Sequence, residues 1–267
     1  MKIVGLNLQG YHVTIDHSHR HWLITTPEGN PTRERVGNLT IYSMFRRQKA
    51  PASLNRDRKQ RKLGDNCPLI YALKGKEGLT TDFSSIKALS QSFNAILEAI
   101  AQAEPDGYDL IVSMPSAHNI SHIVGKRFSR YFNAPHFKDL LRKITVEEAF
   151  ILLDRANIDV TDVKSLQYQL RRQKNEVGYQ GAFSLKGIPT EHRAVFPPIT
   201  INTALTMHLN AHRILITDDL LATGTTLETA ASLLGTLCPG ASVQAACLFS
   251  SMGRLTRGTL KKRKFRG

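Results

Sequence analysis

Residues 214–226 read ILITDDLLATGTT. The apolar run at the start of this stretch is typical of a β-strand covered on both faces, as in a parallel sheet flanked by helices. Asp218 and Asp219 follow at the C-terminal end of the strand, where ligands bind in open α/β sheets. Thr225 and Glu228 have the spacing of a capping box, so we expect a helix to begin there. The stretch therefore predicts a strand, a short loop and a helix with a ligand site between them.

The same alternation continues along the chain in both directions. Residues 109–112 and 243–249 are apolar runs that predict further strands, whereas residues 86–101, 120–131 and 227–237 have apolar residues at helical spacing. Helices between buried strands imply a parallel arrangement. We therefore predict an α/β fold with a doubly wound, mainly parallel sheet.

The two ends of the chain have a different character. Residues 1–62 contain short β-rich pieces separated by turns and then a basic linker, and residues 253–267 are strongly basic. We predict a small N-terminal β-rich region with its linker over 1–62, an α/β domain over 63–252 and a basic C-terminal tail over 253–267.

The composition is that of a globular protein with an unusually positive charge. The chain has 267 residues, of which 41% are hydrophobic, and its net charge is +14. Such a charge favours polyanionic or phosphorylated partners. No apolar run is long enough to span a bilayer, and the N-terminus lacks the pattern of a signal peptide, so we expect a cytoplasmic protein without membrane contact. Cys67, Cys238 and Cys247 are far apart in sequence, which argues against a disulfide framework or a structural zinc site.

The central stretch contains two groups of residues that could bind different parts of one ligand. At the predicted helix start, free N–H groups and the hydroxyls of Thr223 and Thr225 favour a phosphate, and Gly224 would let the backbone approach it closely. Asp218 and Asp219 are suited to two neighbouring ribose hydroxyls. No lysine follows the glycine as in a Walker motif, which disfavours an NTPase. An ordinary strand-to-helix turn is the alternative interpretation.

Residues 218–226 resemble the phosphoribosyl-pyrophosphate motif of the type I phosphoribosyltransferases. Three further segments, in the expected order, resemble the ComF-like branch of that family: residues 68–75 (PLIYALKG), the strand leading to Met114 and Pro115, and residues 172–183 (RQKNEVGYQGAF). The resemblance spans about residues 66–250. It implies a type I phosphoribosyltransferase-like fold.

The resemblance also implies a function and a set of site residues. The protein would bind 5-phosphoribosyl-1-pyrophosphate, or a related ribose phosphate or nucleotide, with Mg²⁺ held mainly through the substrate, and would transfer the phosphoribosyl group to an unknown nucleophile. Asp218 and Asp219 would be the catalytic pair. The implied substrate-binding residues are Ala222, Thr223, Gly224, Thr225, Thr226, Ser113, Pro115, Ser116, Lys74 and Arg172. A mobile loop within 138–176 would close over the site, and a hood formed by residues 1–60 with neighbouring loops would choose the acceptor.

Two departures from the family pattern leave catalysis open. Residues 1–60 contain no cysteine, although ComF-like proteins commonly carry a cysteine-rich zinc element there. After Pro115 the chain has His118, Asn119 and His122 where the family often has arginines. A homologue that binds the ligand and turns over weakly, or not at all, is therefore an alternative.

A nucleic-acid-associated protein is the rival interpretation. ComF-like proteins are linked to DNA uptake, and phosphoribosyltransferase-like proteins also occur as accessory or effector components of bacterial retrons in antiviral defence. On this interpretation the fold senses or modifies a nucleotide, or serves as a scaffold within a protein assembly. The basic runs would bind DNA or RNA phosphates, and the tail residues assigned to that contact are Lys261, Lys262, Arg263, Lys264 and Arg266. Binding that depends on salt and is lost without residues 254–267 would distinguish this interpretation.

Two smaller patterns support no assignment. His17, His19 and His21 would share one face of a strand and could bind a metal, but an exposed polar strand face is the simpler interpretation, and we assign no residue to a metal site. Ser113, Ser116 and His118 contain the residue types of a hydrolase, but the GxSxG elbow is missing.

Overall fold

The structure, a computed structural model, describes residues 5–16, 22–48, 67–205 and 209–252. The helices and strands follow each other in this order: β1 (Gly5–Gln9), β2 (His12–Asp16), β3 (Leu23–Ile24), β4 (Thr32–Val36), β5 (Leu39–Arg47), α1 (Pro68–Leu73), β6 (Thr80–Thr81), α2 (Phe83–Ala103), β7 (Leu110–Ser113), α3 (Ile120–Phe132), β8 (His136–Phe137), β9 (Leu141–Arg142), α4 (Val146–Asp154), α5 (Val160–Val177), β10 (Thr200–Ile201), β11 (Arg213–Leu220), α6 (Thr225–Leu237) and β12 (Ser242–Phe249).

The main sheet has the strand order β3-β5-β12-β11-β7-β8, with β4 paired to β5. From β5 to β8 every neighbouring pair is parallel, whereas β3 and β4 run antiparallel to β5. This arrangement confirms the prediction of an α/β fold with a mostly parallel sheet. It also brings the C-terminal ends of β7 and β11 side by side, because Thr217 pairs with Ser113.

Helices cover both faces of the sheet. Leu215 packs in a core with α2 and α3, whereas its neighbours Ile214 and Ile216 pack in a second core with α6. Successive side chains of a strand point to opposite faces, so a strand that is buried on both faces has to be apolar throughout. The unbroken apolar run at the start of residues 214–226 follows from this position.

The N-terminal region is divided between two sheets. β1 and β2 form a hairpin that pairs with β6 in a separate three-stranded sheet, but β5 pairs in parallel with β12 inside the main sheet. β5 is buried along most of its length, including Ile41, Met44 and Phe45, as an interior strand must be. The β-rich pieces predicted within 1–62 therefore do not form a unit apart from the α/β sheet.

Residues 138–202 form a small helical unit, which we call the cap. Its helices α4 and α5 enclose a hydrophobic core of their own, with Phe183 and Phe196 packed against each other at 5.1 Å between ring centroids. A reciprocal capping box fixes the start of α4: Thr145 Oγ1 accepts from the Glu148 N–H at 3.1 Å, and Glu148 Oε2 accepts from the Thr145 N–H at 2.8 Å. Two packed helices therefore occupy most of the range 138–176, within which the resemblance implied a mobile loop.

Several predictions fall on residues outside the described ranges. These are the role of His17, His19 and His21, most of the basic linker before Cys67, and the tail residues Lys261, Lys262, Arg263, Lys264 and Arg266. The nucleic-acid interpretation therefore stays a prediction. The three cysteines are described, and all of them are buried and free.

None of the helices in the described ranges combines the length and the apolar character that a bilayer crossing requires.

Candidate ligand cleft

The two aspartates at the end of β11 face different surroundings. Asp219 is buried, with 7% of its surface exposed, and its Oδ2 forms an ion pair with Lys74 Nζ at the C-terminal end of α1. Asp218 is partly exposed, and its Oδ1 accepts a hydrogen bond from the Asp219 N–H at 2.8 Å. The fold thus brings together three of the predicted site residues from distant parts of the sequence.

The pKa of Asp218 is strongly raised, from 3.8 to about 7, mainly because burial disfavours the charged form and also because the negative charge of Asp219 lies beside it. The hydrogen bond from the Asp219 N–H and the positive charge of Lys74 oppose this shift without cancelling it. Asp218 can therefore hold or release a proton near neutral pH.

The loop after β11 presents a helix start to solvent. α6 begins at Thr225, and Ala222, Thr223, Thr225 and Thr226 are all exposed. The first-turn N–H groups of a helix have no partner within the helix, and they favour an anion. The hydroxyl oxygens of Thr223 and Thr225 lie 3.2 Å apart at the same place. The helix start and the two hydroxyls therefore lie together at an exposed position.

One detail of the prediction for this loop is wrong. The N-cap of α6 is Gly224 and no side chain caps the helix, so Thr225 and Glu228 do not form a capping box. Gly224 has φ +83°, and a Cβ at this position would lie 2.9 Å from Val36 Cγ2. The glycine is thus required by the left-handed backbone and by its packing against β4, which accounts for it without any ligand.

The acidic strand end opens into a cleft of about 420 Å³ between the sheet and the cap. The predicted site residues that line it are Lys74, Pro115, Ser116, Asp218, Asp219 and Thr226. Lys76, His118 and Lys143 also line it and were not predicted. Lys143 comes from the cap, far from the motif in sequence, so no local pattern could have indicated its place. Lys76 lies two residues beyond Lys74, and the basic character of that short segment was the available signal.

Six other predicted site residues do not line the cleft. Ala222, Thr223, Gly224 and Thr225 lie next to Thr226 in the loop and at the start of α6, and the remaining two are Ser113 and Arg172. Ser113 is almost fully buried, and its Oγ lies 2.7 Å from His136 Nε2 and 3.1 Å from Thr217 Oγ1, so its hydroxyl is engaged within the protein. Arg172 lies on an exposed face of α5, where its Nε is 3.2 Å from Glu176 Oε1. Arg172 does not line the cleft, so its contact with pyrophosphate stays a prediction, and the cleft has Lys76 and Lys143 as cations besides Lys74.

A second pocket, of about 440 Å³, lies against the same loop after β7. Residues 114–118 and Lys143 line both cavities. The imidazole of His122 borders the second pocket and stacks on His136, with 4.9 Å between the ring centroids. Sequence reasoning gave no indication of this pocket.

The acidic end of the cleft has oxygen donors of the kind that a hard cation prefers. Within the described ranges, no group of three His, Cys, Asp or Glu side chains is placed to hold an ion. The carboxylate oxygens of Asp218 and Asp219 are hard donors of the type that Mg²⁺ prefers, and Mg²⁺ typically takes one or two carboxylates together with substrate phosphates. The residues present therefore fit an ion carried by a phosphorylated ligand.

The fold and the cleft give a coarse description of the protein. The chain is an α/β protein with a cleft at the C-terminal ends of parallel strands, lined by two aspartates, three lysines and a residue of the first turn of α6. Comparison with known proteins adds no family to this description, because no family model and no curated protein matches the chain.

Proposed function

We propose that the protein binds 5-phosphoribosyl-1-pyrophosphate, or a related ribose phosphate, together with Mg²⁺ and transfers the phosphoribosyl group to a nucleophile. One observation carries the proposal: a paired carboxylate site, an uncapped helix start and three lysines lie around one cleft. Each group has a counterpart in the ligand, namely the ribose hydroxyls, the 5′-phosphate and the pyrophosphate.

The 5′-phosphate binds at the start of α6. The free N–H groups of the first turn and the hydroxyls of Thr223 and Thr225 are hydrogen-bond donors for its oxygens, and the helix dipole favours its charge. The exposure of this loop leaves the space that a phosphate requires.

The ribose hydroxyls bind at Asp218 and Asp219. Lys74 holds the Asp219 carboxylate in place, so the pair is ordered before the ligand arrives. Two carboxylates near the anomeric carbon also favour the positive charge that develops on the ribose ring as its bond to pyrophosphate breaks.

The pyrophosphate lies against Lys76, Lys143 and the loop that follows β7. When bound, Mg²⁺ supplies charge neutralisation for the leaving group. In the transfer, the bond between the anomeric carbon and a pyrophosphate oxygen breaks, pyrophosphate leaves with the electron pair, and an acceptor atom forms the new bond to carbon.

The test is calorimetric titration with 5-phosphoribosyl-1-pyrophosphate and Mg²⁺. The double variant Asp218→Asn/Asp219→Asn is expected to bind at least about tenfold more weakly than the wild type, because each substitution weakens hydrogen bonds to a charged acceptor. The variant Asp106→Asn/Asp154→Asn removes the same charge from positions outside the cleft and should retain wild-type affinity. Equal affinity of the wild type and the Asp218/Asp219 double variant would refute the site.

A further inference from the structure

We infer that the outer face of α3 binds single-stranded nucleic acid. This face consists of Ile123, Lys126, Arg127, Arg130 and Tyr131. None of the five residues lines the cleft or the second pocket, and the surface is also separate from the tail residues to which the sequence assigned a nucleic-acid contact. Its ligand therefore does not depend on the proposed function.

Helical spacing brings these residues to one side of α3. They follow one another at intervals of three or four positions or lie next to each other, which is the pattern of a single helix face. On the opposite side of the helix, Ile120, Val124 and Phe128 are buried in a core shared with β7 and β11. The sheet thus holds the helix in place and leaves its outer face uncovered.

The outer face carries cations without counter-charges. Residues 110–138 contain Lys126, Arg127, Arg130 and Lys138 but no Asp or Glu. Within the described ranges, none of these four side chains forms an ion pair with a carboxylate. A continuous group of unpaired cations on one surface attracts a polyanion.

Arg127 is ordered although it lacks a carboxylate partner. Its guanidinium carbon lies 4.2 Å from the centre of the Phe93 ring, and its Nη2 donates to Ser90 O, Ser90 Oγ and Asn94 Oδ1. Its Nη1 and Nε make no hydrogen bond within the described parts of the chain, and neither atom is fully buried. Burial lowers the pKa of Arg127. A phosphate would supply the missing counter-charge to a guanidinium that is already held in position.

The outer face of α5 shows by contrast why α3 fits a polyanion. Tyr168 and Arg172 are exposed on α5, but Arg172 Nε lies 3.2 Å from Glu176 Oε1. Asp162 adds a second carboxylate in the first turn of α5. These carboxylates neutralise the cations of that helix and repel phosphates, whereas α3 has no acidic residue.

Two exposed apolar side chains favour a single strand over a duplex. The exposed fraction is 47% for Tyr131 and 55% for Ile123. A base of a single strand can stack on the ring of Tyr131, whereas the bases of a duplex are already stacked on one another. Lys126 and Arg130 lie between the two apolar side chains, about 6 Å apart along the helix axis, where they can contact the phosphates that link successive bases.

The experiment measures binding of labelled oligothymidylate and oligouridylate, each of about 16 nucleotides, to the full chain by fluorescence anisotropy. Salt is varied between about 50 and 200 mM. Lys126→Gln/Arg130→Gln removes two exposed charges from α3, and Tyr131→Ala removes the exposed ring. Arg155→Gln/Lys186→Gln removes the same charge from exposed positions on the cap and is the matched control. A DNA duplex of the same length and vesicles of phosphatidylserine and phosphatidylcholine are the competing ligands.

We expect the wild type and the control to bind the single strands alike. Lys126→Gln/Arg130→Gln should bind at least about tenfold more weakly at the lowest salt. Its plot of log affinity against log salt should be flatter by about 1.4, because each phosphate contact with a single strand contributes about 0.7 to the slope. Tyr131→Ala should weaken binding about fivefold without changing the slope, because stacking on a base releases no counterions. All variants should unfold at nearly the wild-type temperature, since the substituted side chains are exposed. The tighter of the two oligonucleotides identifies DNA or RNA as the source of the strand.

The inference is overturned if neither oligonucleotide binds at the lowest salt, or if both α3 variants bind as the control does. It is also overturned if the duplex or the vesicles bind more tightly than the single strands in a manner that depends on Lys126 and Arg130. The surface would then belong to a duplex or to a membrane. Binding of the sugar pyrophosphate is measured separately, so a failure of the proposed function leaves the result for α3 unchanged.

Discussion

Two acidic sites lie at opposite ends of the same strand, β11, and they are built in opposite ways. At the start of β11, Arg213 donates to Glu104 Oε2 at 2.8 Å, while Glu104 Oε1 accepts from the Tyr42 hydroxyl at 2.7 Å and from Gln244 Nε2 at 3.0 Å. At the end of β11, Asp218 accepts the N–H of Asp219 and lies beside a second carboxylate. Glu104 is surrounded by hydrogen-bond donors, whereas Asp218 has few.

The pKa values of Glu104 and Asp218 shift in opposite directions because of this difference. Burial alone would raise the pKa of Glu104, but the hydrogen bonds from Tyr42, Gln244 and Arg213 outweigh burial, and the pKa is lowered. Burial raises the pKa of Asp218 to about 7 because its partners do not compensate. A carboxylate whose acceptor sites are already used stabilises the fold, whereas one with unmet acceptor capacity is available to a ligand.

The largest expected effect is the loss of stability caused by substituting Glu104 at the start of β11. Glu104→Ala should lower the free energy of unfolding by about 3 kcal/mol, because it leaves Arg213 and two hydrogen-bonding side chains without their buried partner. Chemical denaturation measures the loss, with Tyr42→Phe as a milder comparison that removes a single hydrogen bond. Affinity for the sugar pyrophosphate should not change. If Glu104→Ala lowers both stability and affinity for the ligand, the division of roles between the two ends of β11 is wrong.

A smaller loss of stability is expected for Lys74→Met at the other end. The substitution leaves Asp219 buried without its cation, but both side chains retain some exposure, so we expect a loss of about 2 kcal/mol. The same variant should weaken binding of the sugar pyrophosphate, which Glu104→Ala should not. If Lys74→Met destabilises the protein but leaves binding unchanged, the ion pair between Lys74 and Asp219 only stabilises the fold. The charged groups at both ends of β11 would then have the same structural role.

The smallest expected effect is the pH dependence of stability that arises from the titration of Asp218. Its pKa is higher in the folded protein, about 7, than the ordinary value of 3.8, so the folded state binds the proton more tightly. The resulting stabilisation is complete below pH 3.8 and is lost as the pH rises through about 7. Asp218→Asn does not titrate, so between pH 4 and 8 its stability relative to the wild type should rise by roughly 1 kcal/mol, allowing for solvent screening at a partly exposed group. Denaturation across this pH range measures the difference, and parallel pH profiles would contradict the raised pKa.

The elements that could be read from the sequence are those with a local signal. The apolar runs within 109–112, at the start of 214–226 and over 243–249 predict strands that correspond to β7, β11 and β12, because continuous apolar runs are needed where both faces of a strand are covered. The helix predicted over 227–237 is α6, which begins at Thr225. In these elements the pattern and the structure agree because each depends on side chains within a few residues of one another.

Predictions that required a residue's position relative to distant parts of the chain were less accurate. Ser113 follows a strand as expected, but its hydroxyl is used by His136 and Thr217. Arg172 lies in a segment that resembles a family motif, but α5 directs it to solvent, toward Glu176. The packing of the cap decides both where Arg172 lies and that Lys143 reaches the cleft, and no short window of sequence contains that information.

The sequence by itself determined that a buried strand ends in two aspartates and is followed by a threonine-rich helix start, because strand and helix periodicity and turn chemistry are local properties. Only the tertiary structure decided that Lys74 pairs with Asp219, that Asp218 has a pKa of about 7, and that a second pocket adjoins the cleft. Charge pairing, desolvation and cavity shape depend on distances between residues that are far apart in the chain. Those distances exist only once the sheet, α1 and the cap have packed together.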